Sequence, residues 1–379
     1  GGIAASRPPR VPLAVPVPED EILLDKIQGA WLGRCAGCLL GQPVEGWDRA
    51  RIRGLLEDTE NLPIRRYLSS ALSAELRKKH RVDDAAGPYD ADCKNWINNV
   101  RCMPEDDDTN YTILGLKLLE RRGTAFTSED AANFWLMNLP LLHTCSAERV
   151  AYVNFCNLIP PPKSAVTHNP YREWIGAQIR ADIFGYVCPG NPEKAAALAW
   201  KEARISHVKN GVYGAMLVSA MLAAASVEDD LTKIVTIGLG EIPASSRLAE
   251  GIRTVLAWHA ENVTGPEAID RIHAGYDETY FYDWCHTVPN AMLVCLCLLY
   301  GDHDFTKTIG MAVEAGFDTD CNGATAGSIL GMVLGAEALP AAWTAPLNDR
   351  IYSAVHGFYD CNISDLAKRT LALVDKEAR

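Results

Sequence analysis

The sequence predicts an all-α protein built as one large helical domain, and three observations point there. Stretches rich in Ala, Leu and Met with helical spacing recur along nearly the whole chain from Glu21. Segments rich in Gly, Pro, Asn and Asp separate them. Strand-like alternation is scarce, and the short run Lys233 to Ile237 sits between helical patterns. The 379 residues would by length allow two or three domains, but no composition break and no internal repeat divides them.

In chain order, residues 1–20 hold five prolines and read as an extended strap or tail, with the helical domain covering 21–379. Helices are expected at 21–40, 109–122, 129–139, 192–206, 211–226, 245–261, 291–300, 305–315, 322–337 and 363–377. Residues 46–105, with Pro63 and Gly87-Pro88, form an irregular excursion. Residues 157–193, rich in proline and aromatics, form a second. Long excursions on a helical scaffold often carry binding function.

The formal net charge of −12 argues against a nucleic-acid grip, which needs a basic face. No apolar run reaches the ~20 residues of a membrane span; the run Val288 to Tyr300 carries Pro289 and Asn290. Twelve irregularly spaced cysteines read as reduced thiols, hence a cytoplasmic setting. Cys35 and Cys38 form the one CxxC, with no second pair at zinc-site spacing.

Two glycine ladders stand out. Gly29, Gly33, Gly37 and Gly41 are spaced by four, as are Gly323, Gly327, Gly331 and Gly335. An interior helical glycine costs ~1 kcal/mol relative to alanine, so the ladders need a reason. Either they face each other at close range, or each packs under a bulky neighbour. If the helices run antiparallel, Glu45, just past the first ladder, would meet Asp318 and Asp320, just before the second.

The run Glu105-Asp106-Asp107-Asp108 opens a helix. One acid suffices for a cap; four repel, and a bound cation relieves that. Asp318 and Asp320, two apart, can reach one ion from the same side of an extended segment. Carboxylate oxygens select Mg²⁺, with Mn²⁺ as the substitute, one or two ions. A prenyl-diphosphate lyase would also use an Asp-rich helix, but Asn110 stands where its DDxxD pattern needs Asp.

With these motifs in order, the chain resembles the ADP-ribosylglycohydrolase family. The family's opening glycine motif matches Gly29-Ala-Trp-Leu-Gly33-Arg-Cys-Ala-Gly37-Cys38-Leu-Leu-Gly41-Gln-Pro43-Val-Glu45. Its acidic motif matches Asp106-Asp107-Asp108-Thr109, and its third motif matches Gly316-Phe317-Asp318-Thr319-Asp320-Cys321. The resemblance implies an orthogonal all-α bundle with a Mg²⁺ centre. It implies a glycosidase acting at C1″ of an ADP-ribosyl group or related α-riboside, protein-linked or small. A free nucleoside or metabolite α-N-riboside, or a non-catalytic ADP-ribose binder, remains open as an alternative. By motif position the implied metal ligands are Asp106, Asp107, Asp108, Asp318, Asp320 and Cys321. The implied catalytic groups are Glu45, Asp107 and Asp320, with Glu45 handling the proton of the attacking water or the leaving group. His207, after Ser206, resembles a family position near the bound nucleotide.

Three departures are visible: Cys38 stands where the family usually has Asp, Asp106 where it has Ser or Thr, and Cys321 where Thr is common. Outside the motifs, Tyr171, Arg172, Glu173, Gln178, Arg180, Trp284, His286 and Asn290 are groups of the kind that fix a ligand, and Asn210 follows His207 closely. These complete the expected substrate contacts.

Overall fold

The computed structural model describes residues 2–13, 15–85 and 87–374. Gly1, Ala14, Ala86 and 375–379 lie outside it, and with them the end of the helix expected at 363–377. The fold is all-α. Among the described residues the one sheet is a two-stranded antiparallel pair, β1 (Arg350–Tyr352) and β2 (Asp360–Asn362), with Ile351 opposite Cys361.

Eight helices frame the core and the acidic motifs: α1 (Asp20–Gly41), α2 (Asp107–Arg122), α3 (Ser146–Cys156), α4 (Asn210–Ala225), α5 (Thr287–Tyr300), α6 (Phe305–Glu314), α7 (Thr319–Leu334) and α8 (Ile363–Ala372). The centre is the pair α1 and α7. Residues 29–41 of α1 and 319–333 of α7 are buried on every side. A helix with no polar face belongs inside a larger core. Helices α4 and α5, equally buried, flank the pair, and α8 seals it, with Trp31 Nε1 donating to Thr370 Oγ1 at 3.1 Å.

The two glycine ladders face each other, antiparallel. A Cβ on Gly33 would lie 2.1 Å from the Gly327 carbonyl oxygen, and one on Gly37 would lie 1.9 Å from that of Gly323. Gly29 meets Gly331 at 2.3 Å in the same way, and Gly41 meets Thr319 and Asp320. Backbone sits directly on backbone, so no side chain fits between.

The expected helices are present with shifts of a few residues at their ends. Lys233 to Ile237 is helical, inside Leu231–Leu239, because one face of that segment packs on the core. Helices Ser146–Cys156 and Gly265–Gly275 escaped the sequence reading. The second carries a legible start, with Thr264 as N-cap and proline in the first turn. The first excursion holds two helices, Arg49–Asp58 and Ala74–His80. The second is mostly turns and 3₁₀ segments, ending in Asp182–Tyr186. The N-terminal segment lies against the body: Arg7 and Arg10 both pair with the buried Glu241, at 3.0 and 2.8 Å, and Ala244 N donates to Ser6 O.

Candidate metal centre and cleft

Because α1 and α7 run antiparallel in glycine register, the end of α1 meets the start of α7. Thr319 Oγ1 donates to the Gly41 carbonyl at 3.0 Å and locks the junction. The short turn Gln42–Val44 then delivers Glu45. On the other side Gly316 (φ +78°) and Phe317 (φ +56°) turn the chain sharply before Asp318. The N-terminus of α2 arrives from a third direction. Asp106 is its N-cap, with Oδ1 accepting from Asp108 N at 2.9 Å and Oδ2 accepting from Gln42 Nε2 at 2.7 Å.

These approaches bring carboxylates together. Cys38, Asp106, Asp108 and Asp320 each present one atom such that all four lie within 4.8 Å of one another, and Asp318, Asp320 and Cys321 do the same. All six side chains are buried. Asp318 Oδ1 and Asp320 Oδ1 have no hydrogen-bond partner. A buried carboxylate oxygen without a donor is costly, and a cation is the natural partner. Dehydration raises the pKa of Asp106, Asp107, Asp108, Asp318 and Asp320, and for the last four repulsion from neighbouring acids adds to it.

Glu45 is hemmed in by protein yet exposed to the cleft. Loss of surrounding water, with Asp318, Asp106 and Asp108 nearby, pushes its pKa up to about 8. Because the cleft admits solvent, the aspartate repulsion is the firmer part of that rise.

Asp108 is held from behind. Arg34, wholly buried on α1, donates Nη2 to Asp108 Oδ1 at 2.9 Å and to its carbonyl at 2.8 Å, while Nη1 reaches Asp182 Oδ2 at 3.0 Å. Asp318 is held by Asn290, whose Oδ1 accepts from Asp318 N at 3.2 Å and from Asn322 Nδ2 at 2.8 Å.

The acids form one end of a cavity of about 410 Å³, lined among others by Glu45, Asp106, Asp107, Asp318, Asp320 and Cys321. Tyr171, Trp174, Phe281 and Trp284 line it too. Tyr171 and Trp174 rings are 4.7 Å apart, and Trp174 and Phe281 rings 4.8 Å. Another cavity, of about 350 Å³ between Arg49, Ile64, Ile269 and Glu314, contains no such cluster, and its cations are engaged, Arg49 with Asp270 and Lys307 with Asp302.

Of the expected substrate contacts, Tyr171 and Trp284 line the cleft. Trp284 is anchored by its Nε1 donating to Phe317 O at 2.7 Å. The others are engaged within the protein and are not among the lining residues. Asn290 Nδ2 donates to Trp284 O and His286 O, both at 2.9 Å. His286 caps α5, its Nδ1 accepting from Val288 N at 3.1 Å. Glu173 accepts from Asn210 at 2.7 Å and pairs with Arg247 at 3.0 Å, and Arg172 donates to Asn169 O. His207 is fully buried, its Nδ1 2.8 Å from Ser206 Oγ and its Nε2 3.9 Å from Glu148 Oε1. Burial and then Arg180 hold its pKa well below the ordinary value, so its ring is neutral.

Sequence reasoning passed over Arg34, Gln42, Trp174 and Glu148, which lines the cleft and is paired at 2.6 Å with the buried Arg180. Gln42 was within reach, directly between the ladder and Glu45. Arg34 was not, since a charged residue on a ladder helix is ordinary until its depth is known.

The family model described as ADP-ribosylglycohydrolase matches residues 19–378. Among solved structures, an "ADP-ribosylglycohydrolase-related protein complex" aligns at a TM-score of 0.51 and 18% identity, covering 93% of this chain and 98% of that one. At that identity the likeness speaks for the fold. No curated protein matches the sequence. With the family model spanning nearly its whole length, the chain belongs to the ADP-ribosylglycohydrolase family.

Proposed function

We propose that the protein is a metal-dependent glycohydrolase that cleaves the C1″ N- or O-glycosidic bond of an ADP-ribosyl group or related α-riboside. The observation that carries this reading is the meeting of Glu45, Asp106, Asp107, Asp318 and Asp320 at one end of the cavity, where two buried carboxylate oxygens have no partner. That donor set suits a divalent cation, Mg²⁺ or Mn²⁺ where only oxygens bind. When bound, such an ion supplies positive charge that orients vicinal ribose hydroxyls and acidifies water.

The chain's own residues account for the remaining chemistry. With a divalent ion offsetting the aspartate charge that raises its pKa, Glu45, open to the cleft, would accept a proton from water as the water oxygen bonds to C1″. The bond from C1″ to the leaving nitrogen or oxygen breaks, its electron pair goes to the leaving atom, and that atom is protonated by Glu45 or solvent. Positive charge grows on the sugar ring meanwhile, and the carboxylates of Asp107 and Asp320 favour it. The aromatic wall offers faces against which a flat base stacks.

One observation favours the smaller substrate. Among the described cleft-lining residues Arg149 is the one cation, and its guanidinium already donates to the Thr144 and Leu142 carbonyls. A diphosphate would gain little there, so a free α-N-riboside is the second reading. Every cysteine is unpaired, which supports a reducing, cytoplasmic setting. Among the described residues no helix is long and apolar enough to cross a membrane.

The test is release of ribose or ADP-ribose from a panel of α-ribosides, with and without divalent ions. Turnover that a chelator abolishes is expected. Ligand-induced stabilisation without turnover on any member would instead identify a binding homologue.

A further inference from the structure

Both donor sets contain a sulfur atom. Cys38 completes the set with Asp106, Asp108 and Asp320, and Cys321 completes the set with Asp318 and Asp320. A span of 4.8 Å is roughly twice a metal–donor bond of ~2.0–2.3 Å, so each set fits around a single ion. The two thiols come from different helices. Cys38 sits one turn before the end of α1, and Cys321 sits in the first turn of α7. The contact between Gly37, next to Cys38, and Gly323, two residues after Cys321, fixes that approach.

The oxygen supply around Cys38 is short. Asp108 has one carboxylate oxygen committed to Arg34, and its other lies 3.8 Å from Cys38 Sγ. Asp106 has both oxygens engaged, by Asp108 N and by Gln42. Asp318 Oδ1 and Asp320 Oδ1, each on a side chain buried to within a few per cent, are fully buried without a hydrogen-bond partner. A thiolate is a poor ligand for Mg²⁺, whose octahedron is made of carboxylate and water oxygens, whereas a mixed sulfur and oxygen shell suits a borderline ion.

We propose that Cys38 and Cys321 are metal ligands, and that the centre takes a first-row transition ion of the Fe²⁺, Co²⁺ or Zn²⁺ class in preference to Mg²⁺. This rests on the reading that these carboxylates hold a metal at all. As each sulfur–metal bond forms, the thiol proton leaves to solvent, so binding releases protons and strengthens as pH rises.

The experiment is titration of the metal-free, fully reduced chain with Co²⁺, followed by absorption spectroscopy and thermal unfolding. The expected result is an intense near-ultraviolet sulfur-to-cobalt charge-transfer band that saturates with binding, and displacement of Co²⁺ by Zn²⁺ but not by equal Mg²⁺. Cys38→Ser and Cys321→Ser each diminish the band and weaken Co²⁺ binding by at least ~10-fold. Cys285→Ser serves as the control. Its thiol lies 3.6 Å from Asp318 Oδ2 but belongs to neither set, so the band survives. Stabilisation by Co²⁺ with only weak d–d absorption overturns the thiolate proposal and leaves the carboxylate centre standing. Absence of any stabilisation by Co²⁺, Zn²⁺ or Mg²⁺ overturns both. Where a serine variant fails to fold, absence of the band from the wild-type chain still overturns the proposal.

Discussion

Arg34 carries a full charge into the interior, where its guanidinium has no exposed surface. It is tolerated because every face of the fork is used, on Asp108, Asp182 and the Ile179 carbonyl. Arg34→Met leaves two buried carboxylates uncompensated, and the expected loss is about 3–5 kcal/mol in denaturant unfolding. Arg34→Lys does not rescue it, because an ammonium cannot fork across two acids. A change within ~0.5 kcal/mol would mean that the guanidinium does not hold Asp108 in place. Glu45 stands at the opposite extreme, exposed and open to the cleft. Glu45→Gln is expected to keep the unfolding temperature and the metal-induced stabilisation while turnover falls by ~10²–10⁴. Unchanged turnover would remove Glu45 from the reaction.

At the scale of elements, the contact between α1 and α7 decides where the acids meet. Its strength comes from backbone approach, so its weak point is any added Cβ. Gly37→Ala would place a methyl 1.9 Å from the Gly323 carbonyl oxygen, where only a shift of the helices makes room. A cost of about 1–3 kcal/mol or more is expected, with weakened metal binding, since the same shift moves Asp318 and Asp320 away from Asp106. Gly275→Ala, with nothing within 4 Å of the added carbon, is the matched comparison and should be neutral or slightly stabilising. If both substitutions behave alike in thermal unfolding, the ladder contact is not tight. The four-residue spacing of the ladders was plain in the sequence. Their pairing was not, because a bare helix face packs equally well under a large side chain.

Over the whole molecule, the acid cluster sets how stability follows pH in the absence of metal. Burial raises the pKa of Asp108, Asp318 and Asp320 in the folded chain. Below the ordinary carboxylate range both folded and unfolded chains hold these protons, and stability is full. As pH climbs past that range the unfolded chain releases its protons first, so stability falls toward the raised folded values. The unfolding temperature of metal-free protein should therefore drop between about pH 4 and neutrality. Saturating divalent ion should flatten that slope. A metal-free protein whose unfolding temperature rises steadily over the same interval would show that these carboxylates are not destabilised by burial.

The sequence by itself determined the helical class, most helix positions, the three motifs and the family they resemble. Each of these is written in local spacing: apolar residues three and four apart, glycines four apart, acids side by side. Tertiary structure alone decided which acids share an ion's volume, because residues such as Cys38, Asp106 and Asp320 are neighbours only once α1, α2 and α7 have docked. It also showed the hydrogen bonds that engage Asn290 and His286, and Trp174 on the cleft wall. The reason is physical. Spacing along a helix reports which face a residue occupies, while contact across the core depends on how closely two backbones approach, and here two rows of glycine set that distance.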